Sequence, residues 1–214
     1  MKATAPVLTA AQEIVPETAR PRSAFGVFSD LVKIRLTTLV LITTLVGFYA
    51  GSGAVLDYAT MLHAMLGTAL VACGAAALNQ LLERRLDAKM KRTEDRPLPS
   101  GRMTPDQVLM LGVLLSVGGL LYLAFAVNVL TSFLGAATLA SYLFVYTPLK
   151  TVTTLNTLVG AVPGAVPPLM GWTAVTGRID AGGLAVFSVL FVLQIPHFHT
   201  ITLYRLGYYQ GAGL

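Results

Sequence analysis

Residues 58–96 read YATMLHAMLGTALVACGAAALNQLLERRLDAKMKRTEDR, an apolar run that passes directly into a dense cluster of charges. The part before Glu83 carries no Asp, Glu, Lys or Arg. It exceeds the roughly 20 apolar residues that a helix needs to cross a hydrocarbon core of about 30 Å. The charged part belongs at the membrane edge, because ionised side chains are costly inside lipid.

Similar apolar runs recur on both sides, over residues 36–56, 58–82, 105–127, 129–146, 155–175 and 184–203, giving about six spans. Backbone groups in lipid must be bonded within a helix or a closed barrel, and these runs lack the strict alternation of barrel strands. The expected fold is therefore all-α, a polytopic membrane helix bundle. Composition agrees: of 214 residues, 55% are hydrophobic and 12% charged, and the mean hydropathy is +0.70.

Residues 1–30, with Lys2, Glu13, Glu17, Arg20 and Arg22, form a polar N-terminal tail without the continuous apolar stretch of a secretory signal, and residues 31–214 form the transmembrane domain. The two glutamates also argue against a mitochondrial transit peptide. The single cysteine, Cys73, precedes Gly74 and three alanines and serves as a small packing residue rather than part of a disulfide framework. The net charge of +5 does not point to nucleic acid, because the basic residues gather mainly in one loop between spans.

That loop holds Arg84, Arg85, Lys89, Lys91, Arg92, Arg96 and Arg102; Lys33 and Arg35 precede the first span, Lys150 follows the fourth and Arg205 the sixth, while the other connections hold only Arg178. By the positive-inside rule the amino terminus and the ends of the even-numbered spans face the cytoplasm, with the loops that carry chemistry on that side of the cell (inner) membrane. Gly160 with Gly164 and Ala161 with Ala165 would let helices approach closely. Pro163, Pro167 and Pro168 should interrupt the fifth span, with a cavity beside it.

Asn79, Glu83 and Asp87 are spaced by four, so on a helix their oxygen-bearing side chains form one stripe. Hard oxygen donors of this kind suit Mg²⁺, which binds one or two carboxylates together with substrate phosphate oxygens. Arg84, Arg85, Lys89, Lys91, Arg92 and Arg96 surround the stripe and could hold the remaining charge of a diphosphate. The plainer alternative is a solvated, salt-bridged loop that sets topology, with Glu83 and Asp87 paired to neighbouring Lys or Arg.

The string Asn79-x-x-x-Glu83-x-x-x-Asp87-x-x-Met90-x-Arg92-Thr93, followed by Arg96-Pro97-Leu98, resembles the first acidic motif of the protohaem IX farnesyltransferases, or haem O synthases, of the intramembrane UbiA-type prenyltransferase superfamily. The likeness continues through Tyr146-Thr147-x-Leu149-Lys150, Asn156 to Gly160, Gly164-Ala165-Val166-Pro167-Pro168-Leu169-Met170-Gly171-Trp172 and Gln194-Ile195-Pro196-His197-Phe198. The resemblance implies about nine helices around a central cavity and transfer of farnesyl from farnesyl diphosphate to a vinyl group of haem B, giving haem O for terminal oxidase assembly. It implies Asn79, Glu83 and Asp87 as holders of Mg²⁺ on the diphosphate, with Arg92, Arg96 and Lys150 neutralising the leaving group. Tyr146, Asn156 and His197 join as substrate-binding residues. Haem B, a prenyl diphosphate and membrane lipid are the implied partners, and haem A synthase or an oxidase-assembly protein is a candidate protein partner.

His197 and His199 lie two apart and fall on different faces of a helix, so at most one points into a cavity, where imidazole can ligate haem iron or hydrogen-bond structurally. His63 reads as a polar packing or interface residue, and Trp172 as an interfacial anchor. The sequence departs from the family pattern after His197-Phe198. Leu206 and Gly207 stand where a second acidic motif is expected and no acidic residue follows Asp180, so the chain is expected to be incomplete, with weak or no turnover on its own. An aromatic acceptor other than haem stays open as a second enzyme reading, and a transporter fragment as one of another class.

Overall fold

A computed structural model describes residues 23–91, 93–149 and 156–204, without the side chains of Asn156, Thr157, Ile195 and residues 197–204. Every regular element among them is helical: α1 (Ala24–Val32), α2 (Ile34–Gly51), α3 (Tyr58–Asp87), α4 (Pro105–Ala126), α5 (Val129–Ala140), a π-helical stretch (Ser141–Tyr146), α6 (Thr147–Leu149), α7 (Asn156–Thr176) and α8 (Ala181–Tyr204). Five helices are long and apolar enough to cross a membrane, Val129–Leu149 acting as one; α8 contributes a shorter apolar stretch, Ala181–Gln194. The molecule is thus an all-α, polytopic membrane bundle.

Local chemistry sets the helix ends. Asp57 caps α3 by accepting from the Ala59 and Thr60 amides. Thr104 and Gln107 form a reciprocal capping box at α4, with Pro105 in the first turn. Asn128 caps α5 through the Thr131 amide and also donates to the Thr173 carbonyl at 2.9 Å, fixing α5 to α7. The first span stops at Gly51 rather than continuing to residue 56: Ser52 turns extended and its hydroxyl donates to the Phe48 carbonyl. Helix α1 occupies residues that the sequence reading assigns mostly to the polar tail; it is capped by Ser23, buries Leu31 and Val32, and turns into α2 at Lys33, whose φ is +50°.

The prolines do not interrupt α7, which stays helical through all three and is the most buried of the spans. A Cβ on Gly47 of α2 would sit 1.8 Å from the Pro168 carbonyl oxygen, and one on Gly171 only 1.9 Å from the Thr44 carbonyl oxygen, so α2 and α7 meet backbone to backbone. Ala161 and Ala165 are fully buried, and Gly160 and Gly164 receive the side chains of Tyr146 and Gln194. Val71, Leu123, Leu134, Val166, Leu169 and Met170 form the central core from α3, α4, α5 and α7. Trp172 is a packing residue rather than an interfacial anchor: its ring lies against Gly182 and Gly183, and its buried Nε1 has no hydrogen-bond partner among the described residues. Leu39, Val46, Met110, Leu114 and Phe125 are exposed on the outer faces, where lipid is the natural solvent.

Candidate active site

Helix α3 runs 30 residues and stays helical as far as Asp87, the last member of the expected stripe, so the stripe forms. Asn79, Glu83 and Asp87 are 2%, 7% and 1% exposed, which sets them apart from a solvated loop face. Asn79 Nδ2 donates to Glu83 Oε2 at 3.1 Å, and Asn79 Oδ1 accepts from the Thr147 hydroxyl at 3.0 Å.

Among the described residues, the cation that meets these carboxylates comes from beyond the helix. Arg96 Nη1 lies 2.5 Å from Asp87 Oδ2 and 3.9 Å from Glu83 Oε2. The loop is folded back to bring it there. The buried Thr93 hydroxyl donates to the Asp87 carbonyl at 2.9 Å, the Arg96 amide donates to the Thr93 carbonyl, and Leu98 and Met103 pack against the cluster of Leu31, Ala77 and Val108. Gln80, next to Asn79, donates through Nε2 to the Asp30 and Leu31 carbonyls at 2.9 and 2.8 Å, tying α1 to the base of the site. Arg102 pairs with Asp30 at 3.3 Å and donates to the Asp95 carbonyl, fastening the far side of the same loop.

The π-helical stretch supplies the opposite wall. Tyr142 and Tyr146, four apart, stack with ring centroids 5.6 Å apart, and Gly160 leaves the space that the Tyr146 ring fills. Wider winding lets the Thr147 hydroxyl reach the Tyr142 carbonyl, five residues back, as well as Asn79.

Residues 40–214 match the family model described as the UbiA prenyltransferase family. The chain belongs to this family. It is 49% identical over 184 residues to a protein named protoheme IX farnesyltransferase from Anaeromyxobacter sp. (strain Fw109-5), covering 86% of this chain and 62% of that one. It is 50% identical over 170 residues to the protein of the same name from Sorangium cellulosum, covering 79% and 61%. With that from Anaeromyxobacter dehalogenans it shares 46% over 203 residues, covering 92% and 68%. The chain thus spans about three-fifths of the length of the first two relatives. No solved structure gives a significant match.

In this UbiA family member the structure brings Asn79, Glu83, Asp87 and Arg96 together, with Tyr146 on the adjoining wall. Arg92 and Lys150 lie outside the described residues, as do the side chains of Asn156 and His197. Arg84 and Arg85 do not join the site: both are exposed and line a separate cavity against α4. His63 bonds through Nδ1 to the Tyr122 hydroxyl at 2.7 Å, an interhelical contact between α3 and α4. Sequence reasoning missed Gln80, Thr93, Tyr142 and Thr147 as parts of the arrangement. The polar pair Asn79-Gln80 within an apolar run was a usable signal for Gln80; Thr147 stands in the motif Tyr146-Thr147-x-Leu149-Lys150, but its bond to Asn79 depends on the π-helical winding.

Proposed function

We propose that this chain carries the diphosphate-binding half of a farnesyl transfer site, acting on farnesyl diphosphate and haem B to give haem O. The observation that supports this best is the buried stripe of Asn79, Glu83 and Asp87 facing Arg96. Two buried carboxylates that share the Arg96 guanidinium are a costly arrangement for stability alone, and such sites are functional candidates. The names of the relatives agree with it.

Among the described residues no group of three or more His, Cys, Asp and Glu lies close enough to hold a metal by itself. The donor set does fit Mg²⁺, which is commonly held by one or two carboxylates together with waters and phosphate oxygens. In this reading Glu83 and Asp87, with the Asn79 amide oxygen, would hold Mg²⁺. When bound, the ion supplies positive charge to the diphosphate oxygens as the ester bond breaks. Arg96 exchanges part of its bond with Asp87 for the diphosphate and stabilises the charge that builds on it, with Arg92 and Lys150 assisting. Thr147 and Glu83 fix the Asn79 amide between them. The stacked tyrosines and surrounding apolar helices keep water from the allylic carbon while the vinyl π bond attacks it and diphosphate departs; the cation left on the vinyl group then takes up one water, which becomes the hydroxyl of haem O and releases a proton. We further propose that the site opens on the cytoplasmic side of the cell membrane, on the strength of the basic loop that carries it, and that haem A synthase or another oxidase-assembly protein receives the product.

The experiment is diphosphate binding to the purified protein with and without Mg²⁺, alongside haem O formation from haem B and farnesyl diphosphate by a full-length relative. Asp87→Asn, and its equivalent in the relative, should lower the affinity for farnesyl diphosphate and flatten its Mg²⁺ dependence. Unchanged Mg²⁺ dependence removes Asp87 from the site, and failure of the unmodified relative to form haem O overturns the assigned reaction.

A further inference from the structure

A second polar feature lies on the other side of α3 at the same membrane edge. A cavity of about 440 Å³ separates the last turns of α3 from the first turn of α4, lined in part by Leu82, Arg84, Arg85, Asp106 and Leu109. Its size falls within the roughly 300–1,000 Å³ of small-molecule sites. Glu83 and Asp87 do not contribute to it. Arg84 and Arg85 are exposed and make no ion pair with the described residues, although Asp106 shares the cavity. Asp106 sits in the first helical turn of α4, where the positive helix end offsets its charge. The cavity therefore keeps a positive balance.

Beneath the charges the surface turns apolar. Leu82, Leu109 and Val113 are 54%, 46% and 44% exposed, and Leu109 and Val113 follow one another along one face of α4 toward the bilayer centre. A free phosphate would use the arginines and leave these aliphatic side chains idle, and a zwitterionic lipid would offer no net charge to the cations. An anionic headgroup with an attached acyl chain uses both, and basic pockets between helices at a membrane face are suited to such headgroups. We propose that the notch between α3 and α4 seats the headgroup of an anionic phospholipid, with an acyl chain laid along Leu82 and Leu109.

The test is retention of phosphatidylglycerol against phosphatidylcholine by the purified 214-residue chain, read by native mass spectrometry from non-ionic detergent. The unmodified protein should retain phosphatidylglycerol preferentially. Arg84→Gln with Arg85→Gln should weaken that retention by roughly fivefold per arginine, about 25-fold together. Lys89→Gln with Lys91→Gln, which removes two exposed charges outside the cavity, should leave it unchanged. Leu109→Gln keeps both arginines and should still reduce it severalfold, so the acyl-chain contact is tested without touching the charges. Equal retention of phosphatidylcholine, an equal loss in the lysine variant, or undiminished retention in the arginine variant would overturn the proposal. So would protection against heat by inorganic phosphate as strong as that by phosphatidylglycerol. None of these readouts depends on diphosphate or haem chemistry, so the outcome is separate from that of the proposed transfer reaction.

Discussion

Replacing Arg96 by Gln tests how far its guanidinium balances the buried stripe. Its Nη1 stands 2.5 Å from Asp87 Oδ2 and 3.9 Å from Glu83 Oε2. At an effective dielectric of about 20, unit charges roughly 4 Å apart attract by about 4 kcal/mol. Much of that attraction offsets desolvation, yet removing one partner of a buried pair costs about 3–5 kcal/mol because the other charge is stranded. Arg96 is 20% exposed at its side chain while Asp87 is 2%, so the carboxylate is the group left without water. We expect Arg96→Gln to destabilise the protein by about 3 kcal/mol, the lower end of that range. Asp87→Asn leaves a cation that water can reach and should cost only about 1–2 kcal/mol. The double variant no longer strands Asp87, although Glu83 still loses its longer 3.9 Å contact; it should be more stable than Arg96→Gln alone, with a coupling of about 3 kcal/mol that exceeds the cost of Asp87→Asn. Unfolding in mixed micelles with increasing dodecyl sulfate, followed by helical circular dichroism, measures all four proteins. If Arg96→Gln lies within about 0.5 kcal/mol of the parent, or the double variant equals the sum of the singles, the guanidinium is not what balances the stripe.

Thr147→Val removes the bonds to Asn79 and Tyr142, and should cost about 1–2 kcal/mol in the same assay while lowering diphosphate affinity, because the Asn79 amide loses one of its two anchors. Gly171→Ala drives a methyl into the Thr44 carbonyl and should destabilise by about 3 kcal/mol or prevent folding, whereas Gly118→Ala, with open space around it, should be neutral or gain up to about 1 kcal/mol by thermal melting. Comparable effects of the two changes would mean that the α2–α7 backbone contact does not set the outcome at Gly171.

The spans were legible because crossing lipid imposes a length and an absence of charge that no neighbouring segment can override; α3 and α4 begin at the expected residues. Their ends were less legible. The stop at Gly51 depends on a serine hydroxyl turning back to Phe48, and Val55 and Leu56 read as apolar on either account. The three prolines misled because a proline costs least where surrounding helices bury the backbone, and α7 is the span so surrounded. The stripe itself was readable from a spacing of four. Spacing alone did not separate Arg96 from Arg84 or Arg85 as its counter-charge; the family resemblance singled it out, and the physical reason is the loop that Thr93, Leu98 and Met103 fold back. Tyr142 and Thr147 meet the stripe only because six residues wind more widely than an α-helix, and nothing in SYLFVY announces that winding.

The 30 residues of α3 act as a ruler. Asp57 marks where the oily layer must start, and at about 1.5 Å per residue Asn79 stands roughly 33 Å further along, just past the thickness of that layer. Glu83 and Asp87 follow one and two turns higher. A doubly charged headpiece could therefore dock among headgroups and interfacial water while its hydrocarbon tail hangs down between the helices, and nothing ionic would have to be dragged into oil for the two to meet.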